Sequence, residues 1–384
     1  MRGKIFRFNL LIIIFFLLIN SLLFNQYFSI FATDNFEIDA KNSITIDVKT
    51  GRILHEKNAF ERVSIASTTK IMTAIVALEN ANYDDVFEVS NKAAWVGGSS
   101  MGLRKGEKIP LYQLLYGLML RSGNDSAVVI AEGIAGSVDD FAVLMNKKAK
   151  SLGLSDSNFV TPHGLDAQGQ YSTAYDLAIL TKYALENKTF RRIFGTKDIV
   201  FFNRAMRNTN PLLGVYEWVD GGKTGYTSQA GRCLVLSANR NGFRIISVFL
   251  NCSTSNTRIQ SAKKVLDHIF FNYRLVMLAS KDEIVKRVEV KKGEGRFVDA
   301  VFEKSLSYPL SKEEFKNTEV KKMLEDYLIA PVKKGDGLGK VSFTLGDGEV
   351  LELDVIAGAS VYRKSVFVFF KENLNVLIRG VFSK

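Results

Sequence analysis

A serine and a lysine three residues apart, leading straight into an apolar segment, constrain the fold of this chain more than any other feature. Ser67 and Lys70 form the pair, and residues 71–78 read Ile-Met-Thr-Ala-Ile-Val-Ala-Leu. If a helix starts here, both side chains lie on one face of its first turn, where the amine can take the hydroxyl proton. A helix that is apolar nearly all round belongs inside a domain and would hold the serine on rigid support.

The pair also has a plain interpretation, a Ser/Thr helix cap followed by a solvated lysine. A chain of this length should contain roughly one or two Ser-x-x-Lys pairs by accident. A second copy does occur, at Ser261 and Lys264. The pair alone therefore does not assign a nucleophile, and the rest of the sequence has to decide between the two copies.

Two tripeptides follow the pair at domain-sized spacing. Ser-Gly-Asn stands at 122–124 and Lys-Thr-Gly at 223–225, and each has a further copy, Ser-Ala-Asn at 237–239 and Lys-Thr-Gly at 49–51. Only one set runs in the order nucleophile pair, Ser-x-Asn, Lys-Thr-Gly. The other copies have plain explanations, since we expect a β-turn at Lys49, a strand end at Ser237 and a helix surface at Ser261. The ordered set therefore favours Ser67 as the nucleophile.

Composition and the N-terminal segment indicate an exported globular protein. A length of 384 residues is typical of two folded domains. A content of 47% hydrophobic and 24% charged residues is typical of a globular protein. A basic head and an apolar run over residues 1–32 predict an export signal or an N-terminal anchor, with cleavage after Ala32 or retention both open. The formal charge of +11 favours anionic lipid or cell-wall polymer as a partner. Nucleic acid is not predicted, because no nucleic-acid-binding motif is visible.

The two cysteines could form a disulfide in an oxidising compartment. A hairpin turning at Arg240 would place Cys233 beside a residue near Val248, about four residues out of register with Cys252. That offset is too large for a bridge. We therefore predict two free thiols.

The order of predicted elements indicates an α+β fold. Strands at 43–48 and 52–56 come first, a helical middle follows, and strands at 232–238 and 243–250 precede a helix at 258–271. Such an order suggests one sheet built from both ends of the sequence, with helices packed against it and a helical second lobe across a cleft. We expect this catalytic domain to span residues 35–275.

Beyond residue 280 the pattern changes to short alternating segments, which predict a small all-β domain over 280–362. The last stretch, 365–384, places six apolar side chains on one side of a helical wheel, namely Phe367, Phe370, Leu374, Leu377, Ile378 and Val381. A core-facing helix would also explain this stripe. Its aromatic residues and cationic balance favour an amphipathic helix on a membrane surface.

The segments around the motifs resemble the D-alanyl-D-alanine carboxypeptidases, which are low-molecular-weight penicillin-binding proteins. The resemblance rests on residues 66–74, 121–127, 162–165, 171–174 and 222–227, which read ASTTKIMTA, RSGNDSA, PHGL, YSTA and GKTGYT. It covers most of residues 40–275 and extends less specifically to the β-domain and the terminal helix. It implies a β-lactamase/transpeptidase-like catalytic domain, with an antiparallel sheet, helices and a helical lobe.

The resemblance also implies a role for each motif residue. Ser67 is the nucleophile and Lys70 its base, with a pKa lowered by burial and by Lys223 alongside it. Ser122 relays a proton between Lys70 and the leaving amine, and Asn124 holds the Lys70 side chain and the substrate amide. The three histidines of the chain are not obviously placed to form a Ser-His-Asp triad.

Substrate binding is implied at the Lys-Thr-Gly segment. The backbone N–H groups of Ser67 and Tyr226 would form the oxyanion hole. The substrate, with its free carboxylate, would be bound by Lys223, Thr224, Gly225 and Arg258. For Arg258 the plain alternative is a solvated residue at a helix start.

The implied activity is removal of the terminal D-alanine from peptidoglycan pentapeptides ending in D-Ala-D-Ala, at the outer face of the cytoplasmic membrane or in the cell-wall space. β-Lactams would be covalent inhibitors, and no metal or cofactor is predicted because no His/Cys ligand cluster is present. Class A β-lactamases use a loop glutamate for deacylation, and this chain has no glutamate between Glu132 and Glu186. The alternatives are a DD-endopeptidase acting on cross-links and a non-catalytic peptidoglycan-binding scaffold.

Overall fold

The structure, a computed structural model, describes residues 37–201 and 204–365. The predicted export segment (1–32) and all but the first residue of the predicted terminal helix (365–384) lie outside these residues. The chain divides into two compact units, Phe36–Asn272 and a second that begins at Tyr273. Within the described ranges, no helix has the length and apolar character needed to cross a membrane.

The first unit is built on a five-stranded antiparallel sheet. The strands of this unit, within the described residues, are β1 (Asn42–Asp47), β2 (Ile53–Lys57), β3 (Val86–Glu88), β4 (Lys108–Pro110), β5 (Asp198–Phe201), β6 (Arg204–Arg207), β7 (Val219–Thr227), β8 (Gly231–Arg240) and β9 (Phe243–Cys252). The sheet order is β2-β1-β9-β8-β7, while β3 pairs with β4 and β5 with β6. Because β1 pairs with β9 along its whole length, the sheet joins both ends of the unit, which confirms the predicted α+β arrangement.

Helices surround this sheet and form the lobe beside it. They are α1 (Lys70–Asn80), α2 (Asn91–Ala94), α3 (Leu111–Leu120), α4 (Asn124–Ala135), α5 (Val138–Ser151), α6 (Ala174–Glu186), α7 (Lys188–Phe194) and α8 (Ser255–Asn272). Residues 70–77 of α1 are all buried, as its apolar pattern predicts. They share a core with α3 to α7 and with Ile44 and Val248 of the sheet, while α8 packs on β8 and β9.

The start of α1 differs from the predicted one. A 3₁₀ turn, Ala66–Thr69, carries Ser67, and the α-helix begins only at Lys70. Side chains three residues apart eclipse each other in a 3₁₀ turn. Ser67 and Lys70 therefore still share one side, and the functional consequence of the predicted spacing is retained.

The second copies of the motifs are structural. The Lys-Thr-Gly at 49–51 is a turn, as predicted, in which Gly51 has a φ of +81° and the Thr50 N–H donates to Asp47 Oδ2 at 2.7 Å. The expected surface position of Ser261 is wrong. Its side chain is 3% exposed, and its hydroxyl oxygen accepts a hydrogen bond from the Asp39 N–H at 3.1 Å, so it links α8 to the segment that precedes β1.

Both cysteines are free thiols, as predicted, although the predicted register is wrong. Arg240 pairs with Phe243, so the hairpin turns at residues 241–242 rather than at Arg240. A further one-residue shift between Arg232 and Leu234 pairs Arg232 with Cys252, which leaves Cys233 one residue out of register with Cys252. The prediction missed both the position of the turn and this shift. Burial raises the pKa of the Cys233 thiol to about 11 and that of Cys252 to about 12, which keeps both protonated and unreactive.

The second unit is mostly β-structure. Its strands are β10 (Tyr273–Ala279), β11 (Ile284–Lys291), β12 (Phe297–Phe302), β13 (Leu306–Ser311), β14 (Glu319–Leu324), β15 (Tyr327–Ile329), β16 (Gly337–Thr344) and β17 (Val350–Ala357). Six form a sheet in the order β14-β16-β17-β12-β11-β15, and β10 pairs with β13. One short helix, α9 (Lys312–Lys316), begins with a capping box formed by Ser311 and Glu314. The predicted all-β domain is confirmed apart from this helix.

Candidate active site

The segment that carries Ser67 is held in a strained turn. Ala66 has a φ of +48°, in the left-handed region that residues with a Cβ atom rarely adopt. Gly164 lies so close that a Cβ atom there would be 2.0 Å from the Ala66 carbonyl oxygen, and a Cβ atom on Gly225 of β7 would be 3.0 Å from the Ser67 nitrogen. These two glycines let the neighbouring backbones press against the turn, which over-determines its conformation.

The Lys70 amine has three hydrogen-bond partners. Its Nζ atom lies 2.9 Å from Ser67 Oγ, 2.7 Å from Asn124 Oδ1 and 2.6 Å from the His163 carbonyl oxygen. The last two are carbonyl oxygens and can only accept. A neutral amine has two N–H groups for these carbonyls and one lone pair, which is left to face the serine hydroxyl. The arrangement therefore suits Lys70 as a proton acceptor for Ser67.

The surroundings of Lys70 favour that neutral form. The side chain is fully buried, and burial, followed by the charge of Lys223, lowers its pKa well below the usual value, with Asp125 acting in the opposite direction. Burial and the charge of Arg258 lower the pKa of Lys223 to about 7. Burial, together with the charge of Lys223, explains how the Lys70 amine can serve as a base near neutral pH.

Asn124 is oriented by the loop between α2 and β4. Its Nδ2 donates to the Gly97 carbonyl at 2.6 Å, and its backbone N–H donates to the Ser99 carbonyl at 2.7 Å. Because the amide nitrogen is used in this way, the amide oxygen faces Lys70. Gly98 has a φ of +84°, and a Cβ atom there would be 2.7 Å from Asn124 Nδ2. The close approach therefore requires glycine at 98.

Ser122 is paired with Lys223. Lys223 Nζ donates to Ser122 Oγ at 2.9 Å and to the Thr224 carbonyl at 2.7 Å. Ser122 also has left-handed backbone, with a φ of +58°, and is 5% exposed. In the part of the chain that the structure describes, no hydrogen bond joins Ser122 to Lys70. The structure therefore places the Ser122 hydroxyl, the predicted proton relay, in the site, but hydrogen-bonded to Lys223 and not to Lys70.

The predicted carboxylate-binding residues come together at β7 and the first turn of α8. Arg258 is 7% exposed and donates from Nη1 to the Cys233 carbonyl at 3.2 Å. The plain alternative, a solvated arginine, is therefore wrong. Among the described residues its buried Nε has no hydrogen-bond partner. Thr224 is 9% exposed, and its hydroxyl donates to Thr209 Oγ1 at 2.6 Å.

Tyr226 lies at the exposed end of β7. Its side chain is 53% exposed, and the Arg232 guanidinium carbon lies 3.6 Å from the centre of its ring. Arg232 is the residue that pairs with Tyr226 in β8. This cation–π contact fixes the ring at the rim of the site.

Comparison with known proteins identifies the family to which the chain belongs. The family model of D-alanyl-D-alanine carboxypeptidases matches residues 29–254, and the model of the penicillin-binding protein 5 C-terminal domain matches residues 273–363. The chain belongs to the D-alanyl-D-alanine carboxypeptidase family. The resemblance seen in the sequence is confirmed, and the chain is an enzyme of the serine hydrolase type.

Relatives in this carboxypeptidase family cover nearly the whole chain. The D-alanyl-D-alanine carboxypeptidase DacF of Bacillus subtilis is 37% identical over 86% of this chain and 88% of its own length. DacC of Escherichia coli is 33% identical, with 86% of each chain covered. The crystal structure of penicillin-binding protein 5 from Haemophilus influenzae aligns with a TM-score of 0.73 at 30% identity, covering 86% of this chain and all of that one.

Asp125, next to Asn124, holds the site of this carboxypeptidase together, although the sequence suggested no role for it. Its buried carboxylate accepts hydrogen bonds from Ser100 Oγ and from the backbone N–H groups of Met101, Gly102, Leu103 and Ser126. These bonds anchor the loop whose carbonyls orient Asn124. The available signal was the glycine- and serine-rich run at 97–102, whose backbone donors need acceptors once the loop is buried.

Replacing Lys223 with glutamine tests the electrostatic control of Lys70. Removing the neighbouring positive charge should raise the pKa of Lys70. Because only the neutral amine accepts the serine proton, the acid limb of the pH profile should move to higher pH. The measurement is the rate of penicillin adduct formation against pH, followed by intact mass.

Lys223→Arg is the matched control, because it retains the charge and should leave the acid limb near its wild-type position. Both variants weaken binding, so the position of the limb is compared rather than the rate itself. A limb that stays in place in Lys223→Gln, or moves to lower pH, would contradict the electrostatic explanation.

Proposed function

We propose that this chain is an exported serine DD-carboxypeptidase that removes the terminal D-alanine of peptidoglycan stem peptides through an acyl-enzyme on Ser67. The observation that carries the proposal is the 2.9 Å contact between Lys70 Nζ and Ser67 Oγ, with both remaining positions of the amine occupied by carbonyl oxygens. Membership of the D-alanyl-D-alanine carboxypeptidase family supports the substrate class.

In the acylation step, Lys70 takes the Ser67 proton and the serine oxygen attacks the carbonyl carbon of the penultimate D-alanine. The negative charge that develops on the carbonyl oxygen is stabilised by the backbone N–H groups of Ser67 and Tyr226. When the C–N bond breaks, the leaving amine needs a proton, which Ser122 passes on from Lys70. Free D-alanine departs, and an ester joins the remaining peptide to Ser67.

Deacylation reverses the same proton transfers. A water molecule loses a proton to Lys70 and attacks the ester carbonyl, and the C–O bond to Ser67 breaks as its oxygen regains a proton. We assign no role in this step to Asp166, the acidic residue of the loop that follows His163, whose Oδ1 accepts a hydrogen bond from Thr227 Oγ1 at 2.7 Å. With no glutamate in this loop, we expect the ester formed by a β-lactam to be long-lived.

Recognition of the substrate's free carboxylate belongs to the cationic end of the site. Thr224 offers a hydroxyl, and Lys223 and Arg258 offer positive charge close to it. The unsatisfied Nε of Arg258 supports this assignment, because a buried donor without a partner is costly unless a ligand completes it. An acyl-peptide ending in a carboxylate supplies the missing acceptor.

The decisive test is the covalent intermediate. The wild-type chain should release D-alanine from a D-Ala-D-Ala pentapeptide and gain the mass of one penicillin on Ser67, and Ser67→Ala should lose both properties. Ser261→Ala, in the second Ser-x-x-Lys pair, is the control and should keep both. Penicillin labelling of any residue other than Ser67, or turnover by Ser67→Ala, would refute the mechanism.

The same assay separates the alternative functions. A DD-endopeptidase would cleave cross-linked dimers in preference to monomeric pentapeptides. A peptidoglycan-binding scaffold would bind both without turnover. The complete set of hydrogen-bonded motif residues supports catalysis over the scaffold, and the substrate comparison decides between the two hydrolytic activities.

We propose in addition that residues 365–384 attach the enzyme to the membrane surface. The support comes from the sequence alone, in which six apolar side chains share one side of a helical wheel and Lys371 and Arg379 add positive charge. Such an attachment would keep the enzyme beside newly made peptidoglycan.

Deleting residues 366–384 should release the protein from anionic liposomes, since the apolar stripe and its flanking cations are removed together. The measurement is co-sedimentation of the chain without residues 1–32, with and without the terminal segment. Changing Lys371 and Arg379 to glutamine should weaken binding and make it less sensitive to salt. Equal binding by full-length and truncated proteins would show that the segment is not an anchor.

A further inference from the structure

Two threonine hydroxyls meet at the substrate-facing part of β7. The Thr224 hydroxyl donates to Thr209 Oγ1 at 2.6 Å. Thr209 belongs to the segment between β6 and β7, outside the three motifs. It is exposed, whereas Asn208 and Asn210 on either side are 8% and 3% exposed. Because the exposed Thr209 side chain lies between two buried neighbours, it contributes little to packing. Packing therefore does not explain its hydrogen bond to Thr224.

The two asparagines fix the backbone of this segment. Asn208 donates from Nδ2 to the Thr196 carbonyl at 3.2 Å, and its Oδ1 accepts from the Asn210 N–H at 2.9 Å. Asn210 donates from Nδ2 to the Gly221 carbonyl of β7 at 3.3 Å. A Cβ atom on Gly222 would lie 2.2 Å from that Nδ2. The segment is therefore held against β7 without any contribution from the Thr209 side chain.

Binding of a carboxylate changes which of the two threonine hydroxyls is the donor in this pair. Each hydroxyl has one hydrogen to donate and can also accept. Without a ligand, the Thr224 hydroxyl donates its hydrogen to Thr209 Oγ1. When Thr224 turns that hydrogen toward a carboxylate, the 2.6 Å contact survives only if Thr209 becomes the donor. The result is a chain from Thr209 through Thr224 to the carboxylate, in which each hydrogen bond strengthens the next.

We propose that Thr209 is a positioning residue for recognition of the substrate's terminal carboxylate, acting by donating a hydrogen bond to Thr224 Oγ1. The inference rests on the proposed function, which places that carboxylate at Thr224. Thr209 makes no hydrogen bond to Ser67, Lys70 or Ser122 in the described chain. Its loss should therefore weaken binding of ligands with a free carboxylate and leave the chemical step unchanged.

Thr209→Val removes the hydroxyl and retains the shape of the side chain. We expect the KM for a D-Ala-D-Ala peptide to rise about five- to tenfold, the usual cost of one hydrogen bond that supports a charged ligand, with kcat changed less than about twofold. Thr209→Ser keeps the hydroxyl and should restore a KM near the wild-type value.

A second measurement separates positioning from general damage. Benzylpenicillin has a free carboxylate and its methyl ester does not. Acylation of Thr209→Val, followed by intact mass, should be about five- to tenfold slower than wild type with the acid and unchanged with the ester. Thr45→Val is the matched control. It breaks another hydroxyl pair in the same sheet, Thr45 with Ser247 at 2.9 Å. It should leave the rates of acylation by the acid and by the ester unchanged.

Equal slowing with acid and ester, an unchanged KM in Thr209→Val, or failure of Thr209→Ser to restore binding would each overturn the proposal. A wild-type enzyme that forms no Ser67 adduct would instead refute the proposed function. An active wild type with an indifferent Thr209→Val would refute only the role of Thr209. If thermal unfolding shows that the valine variant is misfolded, Thr209→Ala gives the same acid-to-ester comparison.

Discussion

The contact on which the rest of the site depends is that between the buried Lys70 amine, whose pKa is lowered well below its usual value, and the Ser67 hydroxyl. Lys70 is completely buried, and in the described residues it forms no ion pair with a carboxylate. A charged ammonium in such a position is costly. The cost is avoided if the proton is absent, and this is the state in which Lys70 can accept one from Ser67.

The placement of acidic groups preserves this condition. Asp125 is the carboxylate whose charge reaches Lys70, but its oxygens are occupied by one hydroxyl and four backbone N–H groups. It therefore stabilises the loop that orients Asn124 rather than the charged form of the lysine. On the other side, the charge of Lys223 disfavours a proton on Lys70, and we propose that Lys223 and Arg258 attract the carboxylate of the substrate. A bound carboxylate offsets their charge, which makes Lys70 more basic when substrate is present.

The part of this arrangement that depends on residue identity was predictable from the sequence. An apolar helix after Ser67 and Lys70 implied burial of the pair, and the order of the three motifs chose between duplicate copies. Strands at both ends of the domain implied a shared sheet. These inferences succeed because side-chain chemistry and hydrophobic periodicity carry them directly.

What was missed depends on backbone atoms and on local geometry. The His163 and Gly97 carbonyls bind Lys70 and Asn124, but any residue has a carbonyl, so no sequence pattern marks them. The left-handed backbone of Ala66 lies against two glycines, Gly164 and Gly225, that are distant in sequence. The register of the cysteines depends on where the hairpin turns and on one irregularity between β8 and β9. Tertiary contacts decide each of these features, and local patterns do not encode them.

We infer that Lys70 is uncharged in the resting enzyme near neutral pH. The most direct measurement is a pH titration of the Lys70 side chain by NMR, in protein labelled with ¹³C at the lysine Cε and assigned by comparison with Lys70→Arg. We predict that Lys70 titrates well below the other lysines and that its midpoint rises in Lys223→Gln. A Lys70 signal that titrates with the surface lysines, near their usual pKa of about 10.4, would contradict it.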